Sequence, residues 1–208
     1  MSAPRVAVLA VQGAFAEHEA ALRRIGCEAC ELRQGADVLR SFDALVLPGG
    51  ESTAQAKLLR ELGMLEGLRA LVAEGLPTLG TCAGLVLLAR EVRDAPDAPG
   101  APGAFATLPV AVVRNAYGRQ LASFHAQGRL VGDPVPFPLC FIRAPRIVCV
   151  GEGAEVLVVH DGEPVAVRLG NQIGCAFHPE LAGDDRIHEA LVALVRRSLH
   201  PSRPWQAW

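Results

Sequence analysis

Cys82 sits in Gly80-Thr-Cys-Ala-Gly84, between Gly75-Leu-Pro-Thr-Leu79, which reads as a short buried strand, and Leu85-Val-Leu-Leu-Ala89, which reads as an apolar helix. A glycine two residues to either side suits a sharp strand–turn–helix elbow, where neighbouring side chains would clash. Such a turn holds a sulfur clear of the sheet, and a helix N-terminus behind it favours the thiolate. The chemistry on offer is nucleophilic attack on a carbonyl carbon. Taken alone, these five residues also fit a buried structural cysteine beside two turn glycines.

A second stretch supplies a base. Gly174-Cys-Ala-Phe177 reads as a strand running directly into His178-Pro-Glu180. Residues i and i+2 of an extended segment share a face, and Pro179 disfavours helical backbone at His178. A carboxylate placed there holds one imidazole nitrogen while the other faces a thiol. That is the base-plus-orienter logic of nucleophilic catalysis, in the chain order Cys, His, Glu. His-Pro-Glu alone is also a common turn, but both stretches in one small α/β chain favour the catalytic reading. A third stretch, Leu45-Val-Leu-Pro-Gly-Gly-Glu-Ser52, is an apolar strand ending in a glycine pair before a helix over Thr53–Leu62. Exposed backbone N–H groups in such a loop can hold an oxyanion or a carboxylate, although a plain strand-to-helix turn reads the same way.

Together these stretches resemble the class I, triad-type glutamine amidotransferases, and within them the glutaminase subunits of pyridoxal 5'-phosphate synthase. The resemblance runs nearly end to end, through Leu9-Ala-Val-Gln-Gly-Ala-Phe-Ala-Glu-His18, Leu47-Pro-Gly-Gly-Glu-Ser-Thr53, Gly80-Thr-Cys-Ala-Gly84, Val113-Arg-Asn-Ala-Tyr-Gly-Arg-Gln120, Phe141-Ile-Arg-Ala-Pro-Arg-Ile147 and Ala176-Phe-His-Pro-Glu-Leu181. The elbow and His-Pro-Glu are shared across triad amidotransferases. The Gln-Gly-Ala-Phe, Arg-Asn-Ala-Tyr-Gly-Arg-Gln and Ile-Arg-Ala-Pro stretches mark the narrower group.

The resemblance implies hydrolysis of L-glutamine to L-glutamate and ammonia. Cys82 would form a γ-glutamyl thioester, His178 would carry the protons, and Glu180 would hold its tautomer. The expected oxyanion donors are the backbone N–H groups of Gly50 and Ala83. It further implies that Gly50, Glu51, Ser52, Arg114, Ile142 and Arg143 line the glutamine pocket. Arg114 and Arg143 suit the α-carboxylate because a guanidinium binds it bidentately, though both also fit surface ion pairs. Gln12, after the first strand, reads either as a relay between a partner interface and the oxyanion loop or as a turn residue. No cofactor or metal is expected. The ammonia would pass to a separate synthase subunit that builds pyridoxal 5'-phosphate from ribose 5-phosphate (or ribulose 5-phosphate) and glyceraldehyde 3-phosphate, so a hetero-oligomer is expected. Two other readings share the fold: a glutaminase for another acceptor, such as imidazole glycerol phosphate synthase, and a catalytically silent interaction protein. Two features depart from the family: His125, where an acidic residue is usual, and the Pro/Ala/Gly loop at 94–103.

Positioning these residues requires a parallel sheet. Val6–Val11 is a continuous apolar run of the kind parallel strands show, followed by a helix over Phe15–Ile25 and a strand over Cys27–Leu32. A short helix near Ala36–Ser41 leads to a strand over Ala44–Leu47. Helices over Thr53–Leu62 and Met64–Glu74 precede the elbow. Such βαβα alternation predicts right-handed crossovers. From Phe105 to Phe177 short strands follow, over Val110–Arg114, Arg146–Val150, Val156–His160, Pro164–Leu169 and Ile173–Phe177, with a hairpin turn at Asp161-Gly162. The 94–103 loop reads as a surface excursion. A helix over Asp184–Leu199 closes the domain. The expected fold is a flavodoxin-like three-layer α/β sandwich, mainly parallel with an antiparallel extension, as one domain over 1–200 with an irregular tail at 201–208.

Composition excludes other classes. Half of the 208 residues are hydrophobic, a fifth are charged and the net charge is −2, which suits a globular domain without a basic stripe for nucleic acid or an anionic membrane. Apolar runs are strand-length, so no transmembrane helix is expected. Met-Ser-Ala-Pro-Arg leads straight into a strand, so no signal peptide is expected and the cytoplasm is. The six cysteines are then expected as reduced thiols. Cys27 and Cys30 have a redox-like spacing without a second pair to complete a zinc site. They read as buried thiols, as do Cys140, Cys149 and Cys175. His18, His160, His188 and His200 lack metal-ligand spacing and read as ordinary structural residues.

Overall fold

Burial on both faces demands continuous apolar runs, and these form the centre of the molecule. The computed structural model describes residues 3–94, 97–114 and 123–199, so most of the Val113–Gln120 stretch and the 201–208 tail lie outside the described residues. Strands β1 (Arg5–Leu9), β2 (Glu28–Leu32), β3 (Ala44–Leu47), β4 (Thr78–Thr81) and β12 (Gln172–Cys175) are parallel neighbours in the order β2-β1-β3-β4-β12. Every residue of β3, β4 and β12 is buried. Helix α1 (Phe15–Arg24) joins β1 to β2, while α2 (Ser52–Glu61) and α3 (Leu65–Ala73) join β3 to β4. These two connections run in opposite directions along the sheet. Right-handed crossovers therefore put α1 on one face and α2 and α3 on the other. Helix α4 (Ala83–Leu88) packs with α2, and α5 (Arg186–Leu199) covers β3 and β4 from the α1 side.

Beyond β12 the sheet turns antiparallel through β11 (Glu163–Leu169), β10 (Glu155–His160), β7 (Ser123–Leu130) and β8 (Phe137–Ile142). The β7–β8 pair was not among the individually expected strands. Asp161 and Gly162 close the β10–β11 hairpin with φ of 49° and 79°, as a tight primed turn requires.

The expected single extension is corrected in one respect. Strands β5 (Ala89–Arg93), β6 (Leu108–Val113) and β9 (Arg146–Val150) leave the main sheet and form a second one, in the order β5-β6-β9. All six residues of β6 are buried, so it needs cover on both faces, and packing over β11 and β12 supplies it. The 94–103 loop is not simply an excursion either. Val92 and Ala101 exchange backbone hydrogen bonds of 2.7 and 2.9 Å, and Gly103 N–H donates to the Ala89 carbonyl at 3.0 Å. Cys149 is exposed rather than buried, because β9 is an edge strand. Among the described residues, no helix is long and apolar enough to cross a membrane.

Candidate active site

Strand β4 ends at Thr81 and α4 starts at Ala83, so Cys82 is itself the turn. Its backbone, φ 49° and ψ −101°, is strained for a side-chain-bearing residue, at a cost of about 1–3 kcal/mol. The surroundings hold it there. Cys82 N–H donates to the Cys175 carbonyl at 2.8 Å, and the Cys82 carbonyl accepts from Val86 N–H at 3.2 Å. The flanking glycines provide space rather than flexibility. A Cβ at Gly80 would lie 2.7 Å from the Gly84 carbonyl carbon, and one at Gly84 would overlap the Leu47 carbonyl. The helix start can thus press directly onto β3 and β4. The Cys82 sulfur lies 3.7 Å from the Ile142 carbonyl oxygen, at the end of β8.

His178 reaches the cavity by a route different from the one expected. Strand β12 stops at Cys175, and Pro179–Leu181 forms a 3-10 turn that starts from His178 (φ −106°, ψ 88°). His178 and Glu180 therefore do not share the face of a strand; the turn folds the carboxylate back onto the ring. His178 Nδ1 lies 2.7 Å from Glu180 Oε1, so Nδ1 carries the hydrogen and Nε2 is left for the thiol. Backbone N–H of His178 donates to the Cys140 carbonyl at 2.7 Å, which fixes the turn against β8. Burial opposes a charge on this imidazole, but the Cys82 sulfur and the Glu180 carboxylate outweigh it and push its pKa up to about 10. The arrangement favours the imidazolium form of His178.

A cavity of about 320 Å³ opens over this pair, with Cys82, Ala83 and His178 in its wall. The expected pocket residues Gly50, Glu51, Ser52, Arg114, Ile142 and Arg143 all line it. Glu180 does not; it is buried behind His178. Glu51 has a capping duty as well. Its carboxylate accepts Thr53 and Ala54 N–H groups at 3.0 and 2.7 Å, and these bonds hold its pKa below the usual range although burial opposes them. Arg114 is paired with Asp94 and donates to Thr53 Oγ1 at 3.1 Å. Arg143 is exposed, with a φ of 43° that lifts it off the end of β8. His125 is exposed on β7 opposite Cys140 and is not part of the wall.

Two loops meet at the rim, the one after β1 and the one after β3. Gly49 carbonyl accepts Ala14 N–H at 3.1 Å, and Gln12 Oε1 accepts Glu51 N–H at 2.8 Å. Gln12 is therefore in direct contact with the glycine loop. Gln55 was missed from sequence. It is fully buried on α2 and donates to the Gln12 and Pro48 carbonyls at 3.0 and 3.2 Å; an amide on the inner face of an amphipathic helix was its only signal. Also missed were two fully buried histidines behind Glu180. His18 and His188 are not ordinary helix residues: their ring nitrogens meet at 2.9 Å, and His18 reaches Glu180. Among the described residues, no His/Cys/Asp/Glu cluster could hold a metal ion.

Comparison with known proteins shows the family and the fold. Residues 8–197 match the model of the SNO glutamine amidotransferase family. The chain is 56% identical over 185 residues to pyridoxal 5'-phosphate synthase subunit PdxT of Desulfitobacterium hafniense strain Y51, covering 89% of this chain and 90% of that one. It is 51% identical over 193 residues to the PdxT of Mycolicibacterium vanbaalenii, covering 93% and 98%. A solved glutamine amidotransferase superposes with a TM-score of 0.82 at 43% identity, covering 92% of this chain and 98% of that one. PurLQS from Thermotoga maritima, at 19% identity and a TM-score of 0.67, shares the fold. With the family model spanning nearly the whole chain, this protein belongs to the SNO glutamine amidotransferase family.

Proposed function

We propose that the chain is the glutaminase subunit of a pyridoxal 5'-phosphate synthase, working in the cytoplasm. One observation carries the chemistry: a cysteine held in strained backbone at the floor of a cavity, facing an imidazole whose other nitrogen is 2.7 Å from a buried carboxylate. The Cys82 thiolate attacks the side-chain amide carbon of glutamine, and the carbonyl electrons move to oxygen. Backbone N–H groups of Gly50 and Ala83 stabilise that oxyanion. The imidazolium of His178 gives its proton to the departing nitrogen, so ammonia leaves and a γ-glutamyl thioester remains. His178, now neutral, takes a proton from water as it attacks. Glutamate leaves and the thiolate–imidazolium pair returns. Gly50, Glu51, Ser52, Arg114, Ile142 and Arg143 hold the substrate, with Arg143 and Arg114 on its α-carboxylate. Six free thiols support a reducing compartment.

The likeness to PdxT proteins supports a synthase subunit as the acceptor of the ammonia. Docking also has a route into the chemistry. The Gly49 carbonyl is held by Ala14 N–H, so the orientation of the Gly49–Gly50 peptide depends on the loop after β1. A partner seated on Gln12–Phe15 would reset that peptide and complete the oxyanion hole. Glutamate release measured with and without a synthase subunit tests the reading. A marked rise is expected, blunted more than binding is by substitution of Gln12. Equal rates at saturating glutamine would show a preformed site and overturn the coupling.

A further inference from the structure

Behind the triad carboxylate lies a polar chain that the mechanism above does not use. His18 on α1 and His188 on α5 are both 0% exposed, and His18 Nδ1 sits 2.9 Å from His188 Nε2. The other His18 nitrogen, Nε2, is 3.0 Å from Thr81 Oγ1 and 3.3 Å from Glu180 Oε2. Glu180 accepts from His178 through Oε1, and among the described residues its Oε2 is buried with no hydrogen-bond partner of standard geometry. Among the described residues His188 Nδ1 is likewise buried without a partner.

The orphan nitrogen fixes the direction of the chain. A buried N–H without an acceptor is costlier than a buried lone pair, and an imidazole lone pair aimed at a carboxylate is repulsive. Both penalties are avoided by one arrangement only. His188 carries its hydrogen on Nε2 and donates it to His18 Nδ1; His18 then carries its hydrogen on Nε2, facing Glu180 and Thr81. Burial, with the neighbouring His188 and His178 adding to it, holds His18 well below its ordinary pKa; burial also lowers His188 to about 4, against the pull of Asp185. Both rings are neutral at neutral pH. His18 thus meets Glu180 as a dipole rather than as a rival charge for its proton.

We propose that His18, with its tautomer set by His188, is a positioning residue that keeps the Glu180 carboxylate aimed at His178. The proposal rests on the assignment of Glu180 to the triad made above. The backbone N–H of His18 donates to the carbonyl of Ala14 at 3.4 Å, so the helix turn that carries His18 starts at the residue that holds Gly49. The groups facing His18 are Thr81, Glu180, His178 and His188, and those facing His188 include Asp185 and Arg24.

Two polar variants of the full chain separate positioning from packing. In His18→Gln the amide nitrogen can take the place of Nε2; in His18→Asn it falls short. With the synthase subunit present, His18→Asn should lower kcat about 10- to 100-fold with KM for glutamine within twofold, and move the alkaline limb of kcat down by about one pH unit. His18→Gln should recover most of the rate and the limb. Alkylation of Cys82 by iodoacetamide provides a readout that needs no glutamine turnover. Its pH midpoint should rise in His18→Asn and return in His18→Gln. If wild type fails to hydrolyse glutamine but the alkylation pattern appears, the substrate reading fails and the positioning role stands. If folded His18→Asn keeps both profiles of wild type, or if the two variants lose rate equally without a pH shift, His18 is structural and the proposal is wrong.

Discussion

Gly49 lies directly against the Cε1 edge of the His178 ring: a Cβ at Gly49 would lie 2.9 Å from His178 Nδ1 and overlap Cε1. The imidazole is thus held between the glycine loop and Glu180, and a methyl group must push it away from one of them. Gly49→Ala should lower kcat by roughly 10²-fold, since a displacement of about 1 Å at reacting groups costs that much. Steady-state glutaminase rates on folded protein check this. Activity within threefold of wild type would mean the ring has other room.

Loss of triad members should be unequal. Cys82→Ala should abolish glutamine hydrolysis while free ammonia still supports the partner's synthesis. His178→Asn should be nearly as damaging, about 10³-fold or more, and Glu180→Gln milder, about 10- to 100-fold, because it misorients the base without removing it. His178→Asn with Glu180→Gln should be no worse than His178→Asn alone. A silent Glu180→Gln would require another carboxylate behind His178.

Stability should depend on pH through the buried histidines in two senses. His18 and His188 have folded pKa values below 6.5, so the unfolded chain binds protons that the folded chain does not. Their effect is a loss of stability as pH falls from about 6.5 toward 4, at up to about 1.4 kcal/mol per pH unit for each ring. His178 acts oppositely. Its raised folded pKa gives stability that is whole below 6.5 and is lost as pH rises toward about 10. Urea unfolding of wild type and His188→Gln between pH 4 and 7 tests the acid side. A shallower fall in the variant is expected, and identical slopes would contradict the buried neutral pair.

The sequence made the parallel half legible because β1 and β3 are continuous apolar runs, each leading to a helix. It made the elbow legible because Gly80 and Gly84 have a spatial reason that local spacing carries. The small β5-β6-β9 sheet was not legible, since an apolar run such as Leu108–Val113 does not say which of two sheets covers it. The 3-10 turn at Pro179 was hidden for a local reason: Pro179 excludes helix at His178 but fits both a strand end and a helical first turn. The His18–His188–Glu180 chain was hidden for a topological one. His18 and His188 lie 170 residues apart and meet only because α1 and α5 share a face of the sheet.

The account stands most directly on Cys82 as the nucleophile. A glutamine analogue bearing an electrophile at the amide position, added with the synthase subunit present, should form one adduct, and peptide mapping by mass spectrometry should place it on Cys82. Cys149 is the built-in control, because it is an exposed thiol on an edge strand and does not line the cavity over Cys82. Labelling at Cys82 that glutamine suppresses, with Cys149 unmodified, is the predicted result. An adduct on Cys149 or another thiol, with Cys82 untouched, would contradict the account.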